Sequence, residues 1–422
     1  MNTIPKIELQ DSQSVVGPSK TAPGANSLGL NPLSRNAHQN NSASFYICCL
    51  LSFIAFQAIA ILLVESVFAL SGIGAELIQK DDTVLGFKHR QNKSVTWRRE
   101  GFSKATFNSE GLFENVAPGA HPGVYRVAVF GDSMVEGLQE PQENSFIKLL
   151  ENKLQGRTAG KLQVMNCGVF GYSAVQAFLY ADEIIDKYKP DLILYGYDTR
   201  DMSESIETWA PAGMKSCGGR PYAIKLPGRN LEISSEPVVN ALKQNKNRFW
   251  AQFDWFQQNS RIWGYLTENR PKLSLHNAFV DAITGFGKPA DTKKEPAFSI
   301  RFFAQQLNVV EQNLKVAHLS ILDETFGALL VRLNQHCVKS NAKLIVFSLP
   351  SRCDLLHDIA ALPSPYSVDM QDELKIVRTH CGQQNIPFID IHDKACNENQ
   401  SEQRKFFYIL HLTARGHRYV FS

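Results

Sequence analysis

Residues 124–137 read VYRVAVFGDSMVEG, and the order of residue types in this stretch decides the fold. The run 124–130 is apolar or β-branched apart from two positions and stops at a glycine, as a buried strand does. Asp132 and Ser133 then follow at the turn into a helix. Four further runs share this character, each ending near turn residues: 162–165, 192–197, 343–349 and 387–391. Helical patterns separate them. The clearest starts at Ser173, where Gln176 three residues on makes a capping box. Ala174, Phe178, Ala181, Ile185 and Tyr188 then recur at helical spacing, and Pro190 marks the stop. A second long helix is predicted from Ser320 to about Asn341. Strands alternating with helices predict a mainly parallel five-stranded sheet covered on both faces, an α/β/α sandwich of three layers. Ligands of such sheets bind beyond the carboxyl ends of the strands, so the residues that follow each strand come next.

After the second strand stands Asn166-Cys167-Gly168-Val169-Phe170-Gly171, and near the end His411-Leu412-Thr413-Ala414-Arg415-Gly416-His417. A serine at a strand end, a glycine turn before a helix and a late histidine suit acyl chemistry. The serine attacks, the histidine takes its proton, and backbone N–H groups receive the oxyanion. Singly, each signal has a blander reading: a serine after a strand is commonly a helix cap, and a lone histidine is commonly structural.

The 422 residues average out to an ordinary folded protein, with 44% apolar and 20% charged residues and a mean hydropathy of -0.20. Net charge is +3, from 44 basic and 41 acidic residues, which gives no reason to expect a nucleic-acid partner. The averages hide residues 45–64, FYICCLLSFIAFQAIAILLV, which carry no charge. A helix of about 20 residues spans the roughly 30 Å of a bilayer core. Apolar character on all faces argues against a core helix. The 44 residues before the run argue against a cleaved signal peptide. Lys6, Lys20 and Arg35 precede the run and only Lys80 follows closely, so the tail is expected inside and the remainder periplasmic or otherwise extracytoplasmic.

The expected organisation is a disordered tail over 1–44, rich in Ser, Asn, Gly and Pro, then a transmembrane anchor over 45–66 and an irregular lead-in over 67–122. The α/β domain occupies 123–422, with an insertion over 203–317. That insertion contains FWAQFDWFQQNSRIWGYL, read as a helix packing its aromatic face, with Lys293, Lys294 and Arg301 on a solvated face. The eight cysteines include no Cys-x-x-Cys pair, and no histidine or cysteine cluster has ligand spacing, so neither metal nor cofactor is expected. Cys167, Cys217, Cys337, Cys353, Cys381 and Cys396 are candidates for bridges of undecided pairing.

With these residues in view, the chain resembles the SGNH (GDSL) hydrolase family in its bacterial membrane-anchored branch, from about Asp81 to the C-terminus. The resemblance is carried by LGFKHRQNK, YRVAVFGDSMVEGLQEPQENSFIKLLENKL, VMNCGVFGYSAVQ, KYKPDLILYGY and HLTARGH. It implies a flavodoxin-like sandwich, with Ser133 as nucleophile and His411 as base. It places the N–H groups of Ser133 and Gly171 at the oxyanion and gives Asp132, Asn166 and Asp201 supporting roles. It also implies an insertion after the third strand that caps the active site. The chain departs from the family twice. The third block, Gly-x-Asn-Asp, falls on Asp198-Thr199-Arg200-Asp201, so Arg200 stands where an oxyanion-binding asparagine is expected; the register Gly196-Tyr197-Asp198 lacks it too. The aspartate two or three residues before the histidine is replaced by Tyr408 and Ile409. Asp390, Asp393 or a backbone carbonyl are the substitutes in view. The expected activity is a serine esterase acting on an extracytoplasmic lipid or carbohydrate ester. An O-acyltransferase of the envelope polysaccharide machinery and a non-catalytic binding or assembly protein are the alternatives.

Overall fold

The computed structural model describes residues 33–71, 73–74, 78–98, 100–155, 157, 160–198, 201–206, 219–246, 260–268, 314–356, 370–408 and 410–422. Arg200, Cys217, Lys293, Lys294, Arg301, the first 32 residues and the stretch FWAQFDWFQQN of the insertion lie outside them. The chain divides between Leu63 and Val64.

One helix, α1, runs Leu33–Ser71. Its segment Ser44–Ser71 contains an 18-residue stretch of mean hydropathy 2.7 with nothing buried, and is long and apolar enough to cross a membrane. The helix begins upstream of the apolar run and takes in part of the expected tail. No Pro or Gly interrupts residues 33–44, and extending a formed helix costs little.

The remainder opens with two antiparallel ribbons where irregular chain is expected. Strands β1 (Gln79–Asp82) and β2 (Gly86–His89) pair with each other, as do β3 (Ser94–Trp97) and β4 (Ser103–Thr106). Each strand has 4 residues, too few for alternation to stand out in the sequence. Then come β5 (Val124–Gly131), α2 (Ser133–Glu136), α3 (Phe146–Gln155), β6 (Lys161–Gly168), α4 (Ala174–Tyr188) and β7 (Leu192–Tyr197). After β7 a small ribbon of β8 (Tyr222–Ile224) and β9 (Glu232–Ser234) belongs to the insertion. Strands β10 (Lys343–Ser348) and β11 (Phe388–Asp390) complete the main sheet.

That sheet has the order β11-β10-β7-β5-β6 with every pair parallel. Numbered among themselves the five strands run 2-1-3-4-5, the flavodoxin-like order, whose switch point falls beside the first strand. The alternation of a parallel strand divides the core in two. Ala128 and Phe130 of β5 face a layer built on α4 and the helices Leu314–Lys339 and Met370–Gln383. Val127 and Val129 face α2, α3 and the C-terminal elements. The charge within β5 is satisfied: buried Arg126 donates to Gln163 at 3.0 Å and to the Tyr188 carbonyl at 2.7 Å. The predicted capping box is present, with the Ser173 N–H donating to Gln176 Oε1 at 3.2 Å. The five predicted strands all appear, shifted at their ends by a few residues at most. The lead-in is not a separate segment, because Leu85, Phe87, Leu112 and Val116 belong to the same core as α4.

Candidate active site

At the carboxyl end of β5 the chain must turn from strand to helix within two residues. Asp132 caps α2, its Oδ1 accepting the Met134 N–H at 2.9 Å. This places Ser133 at the first helical position, buried to 7% exposure, beside the switch point of the sheet. Burial raises the Asp132 carboxyl, as it does that of Asp201, on which the Asp132 charge acts in the same direction.

His411 arrives from the opposite end of the sequence on a tight loop. The loop is closed by pairing between Phe407 and Leu412 and by the Tyr408 N–H on the His411 carbonyl at 2.9 Å. Glu140, just beyond α2, accepts the Tyr408 hydroxyl and, at 2.9 Å, the Ala414 N–H. His411 Nε2 lies 2.9 Å from Ser133 Oγ. The nucleophile and base expected from the sequence are thus in hydrogen-bond contact.

The third member is a residue the sequence did not point to. His411 Nδ1 lies 3.0 Å from Oε2 of Glu100. The same oxygen accepts the backbone N–H groups of Leu410 and His411, both at 3.1 Å. Burial alone would raise the Glu100 carboxyl, but the hydrogen bond and charge of His411 and these two N–H donors hold it at about 2. Glu100 sits at the tip of the β3–β4 ribbon. Its own carbonyl accepts the Trp97 indole N–H at 3.0 Å. Its neighbour Gly101 has φ +66, and a Cβ there would meet the Gln139 carbonyl and the Tyr408 ring at 2.2 and 2.8 Å. Only glycine lets the ribbon tip close on the strand-end loops. Neither aspartate in view from the sequence serves His411. Asp390 accepts from Ser348 at 2.8 Å, from Arg378 and from the Asp393 N–H, and Asp393 is exposed.

The turn after β6 carries Gly171, expected from the sequence at the oxyanion. Gly171 has φ 80, a left-handed backbone that glycine adopts freely. Before it, the Phe170 N–H donates to Glu136 Oε1 at 3.1 Å, and that carboxylate is 2.6 Å from Nε2 of buried His89. Asn166 takes a bracing role: its amide donates to the Glu136 carbonyl at 3.1 Å and its oxygen accepts the Gly168 N–H at 3.0 Å. Asp201 likewise braces, accepting the Tyr195 hydroxyl at 2.8 Å and the Asp198 N–H at 3.1 Å. His417, the second histidine of the last block, is fully buried; burial, then the charge of His411, lower it to about 4. Its Nδ1 accepts the Phe146 N–H at 3.4 Å, so it serves as a neutral link to α3. Among the described residues Cys167, Cys337, Cys381 and Cys396 are free thiols.

No family model matches the chain, and no curated protein matches its sequence. Solved structures do resemble it. A member of the lipolytic G-D-S-L family from Veillonella parvula aligns at 11% identity and a TM-score of 0.33, covering 70% of this chain and 94% of its own. An acetyl xylan esterase, AlAXEase, aligns at 12% and 0.31 over 70% and 95%. A variant of an acetyl xylan esterase from Geobacillus stearothermophilus aligns at 11% and 0.31 over 72% and 93%. Superpositions this loose leave the chemistry to rest on the chain's own residues.

Proposed function

We propose that this chain is a serine esterase working through an acyl-enzyme. The observation that carries the reading is the continuous line Glu100–His411–Ser133, with contacts of 3.0 and 2.9 Å beyond the carboxyl ends of the strands. Ser133 Oγ attacks the ester carbonyl carbon while His411 Nε2 takes its proton. Glu100 holds the imidazole with Nδ1–H directed at itself and opposes the positive charge that develops on the ring. The oxyanion is received by the N–H groups of Ser133 and Gly171. Collapse of the tetrahedral adduct expels the alcohol, protonated by His411, and water reverses the sequence on the acyl-serine. A carboxylate in the acid's place supports catalysis over a non-catalytic reading, which rested on the missing asparagine and the missing aspartate, by removing the second of those two grounds. The apolar helix Ser44–Ser71 supports attachment to a membrane, and the charge bias around it supports an extracytoplasmic site; the substrate class we propose is a lipid or carbohydrate ester.

Covalent labelling of the purified full chain with a fluorophosphonate tests this. Wild-type protein is expected to label and Ser133→Ala to remain unlabelled with an unchanged melting temperature. Equal absence of labelling in folded wild type would end the esterase reading.

A further inference from the structure

The Gly171 N–H belongs to the peptide that joins it to Phe170, and the peptides on either side are both held by charged side chains. Glu136 takes the N–H of the peptide before, at 3.1 Å. Arg220 Nη2 donates to the Gly171 carbonyl, in the peptide after. Arg220 comes from the insertion, directly before β8, and is fully buried. Its Nη1 lies 2.9 Å from Glu204 Oε2 as an ion pair, and neither Nη1 nor Nε makes a hydrogen bond among the described residues. A backbone carbonyl needs only a neutral donor. A buried guanidinium is a far costlier way to satisfy it, since the charge gives up its hydration and some of its donors are left unused. The glycine it holds has φ 80, where the backbone has little steric preference of its own and must be set from outside.

We propose that Arg220 is a positioning residue for the oxyanion site: it fixes the Gly171 carbonyl so that the preceding N–H is held toward Ser133. Charge-assisted donors hold geometry more tightly than neutral ones, and oxyanion donors act through being fixed before reaction. The insertion after the third strand thereby enters the chemistry without touching substrate. This inference rests on the esterase reading.

The test uses the full chain, p-nitrophenyl acetate as substrate and a boronic acid that forms a tetrahedral adduct on serine. Arg220→Lys is expected to lower kcat about tenfold and Arg220→Gln about a hundredfold, with KM changed less than about twofold. The boronate should weaken by the same factors as kcat, which loss of general packing would not produce. A folded Arg220→Gln with kcat and boronate affinity within about twofold of wild type overturns the proposal. Should that variant not fold, Arg220→Lys decides by the same criterion. Failure of both to fold would make Arg220 a residue of the fold and overturn its assignment as a positioning group. Absence of fluorophosphonate labelling in wild type would instead remove the esterase reading, a separate and distinguishable result.

Discussion

Replacing Glu100 by alanine and by glutamine should give two very different enzymes. Three N–H groups converge on the single atom Oε2, those of Leu410, His411 and the His411 ring, at 3.1, 3.1 and 3.0 Å. In Glu100→Gln, two backbone N–H groups that cannot turn away exclude the amide NH₂ from that point. The amide oxygen must occupy it, so Nδ1–H keeps an acceptor and Nε2 stays free to take the serine proton. What is lost is the charge. A carboxylate about 4 Å from an imidazolium is worth about 4 kcal/mol at an effective dielectric of 20. Solvent near half-buried Glu100 and the remaining amide dipole reduce the difference to about 1–3 kcal/mol, or roughly 5- to 150-fold in kcat. In Glu100→Ala the acceptor itself is gone and the ring is free to take the other tautomer, a loss that reaches about 10⁴ in a serine protease. The expected order is therefore wild type above Gln above Ala, with at least about a tenfold gap between the two variants. Initial rates on a chromogenic ester, with circular dichroism to verify folding, measure it. Equal rates for the two variants would refute the argument from convergent donors. An alanine variant faster than about a tenth of wild type would remove Glu100 from the catalytic line altogether.

The same carboxylate should leave a mark on stability. Its folded value of about 2 lies below the ordinary 4.5, so between those values the unfolded state binds more protons and stability rises with pH. Its contribution is complete above about 4.5 and is lost as pH falls through about 2; urea melts of Glu100→Gln should be flatter over that window than those of wild type. Glu114 has the opposite sign, since burial pushes it up to about 8. Stability should therefore fall as pH rises from 4.5 toward 8, and Glu114→Gln should unfold at higher urea than wild type at neutral pH and lose that advantage below pH 4.5. Gly101→Ala forces a Cβ to 2.2 Å from the Gln139 carbonyl; the expected cost is about 1–3 kcal/mol by urea denaturation, with a drop in kcat as Glu100 is pushed off His411, and unchanged activity would contradict the close approach. A chain started at Val124 keeps the five sheet strands but loses Glu100 and the His89 partner of Glu136. It should bind fluorophosphonate far more slowly than the full chain, and labelling at the full rate would show the lead-in to be dispensable.

Ser133 and Gly171 were legible in the sequence because each follows a strand, and a parallel sheet brings strand ends together whatever their separation along the chain; His411 was legible only through the late block HLTARGH. Asn166 and Asp201 were legible as members of the site's surroundings, and the structure gives them bracing bonds to Glu136, Gly168, Tyr195 and Asp198. Glu100 was not legible, for a physical reason. It lies 311 residues from His411, sits in WRREGF with no motif around it, and enters through a ribbon whose strands are too short to announce themselves by alternation. One signal was available in Gly101, a glycine next to a charged residue in a polar stretch, but it is weak without the backbone.

The acid's origin changes what the lead-in is for. In the expected arrangement every named site residue lies in the domain from 123 onward, and the residues before it are an irregular lead-in. Instead, the first ribbon supplies His89 to brace Glu136, which in turn holds the Phe170 N–H beside the oxyanion site. The second ribbon supplies Glu100 to the base. The insertion supplies Arg220 to the Gly171 carbonyl. The sheet thus presents Ser133 and the Gly171 turn, while three excursions outside the sandwich provide the groups that hold those parts in working geometry. On the esterase reading, a change in the lead-in is therefore expected to alter catalysis without any change in the sheet. On the same reading, the place of the aspartate missing beside His411 is taken by Glu100, whose carboxylate lies 3.0 Å from Nδ1.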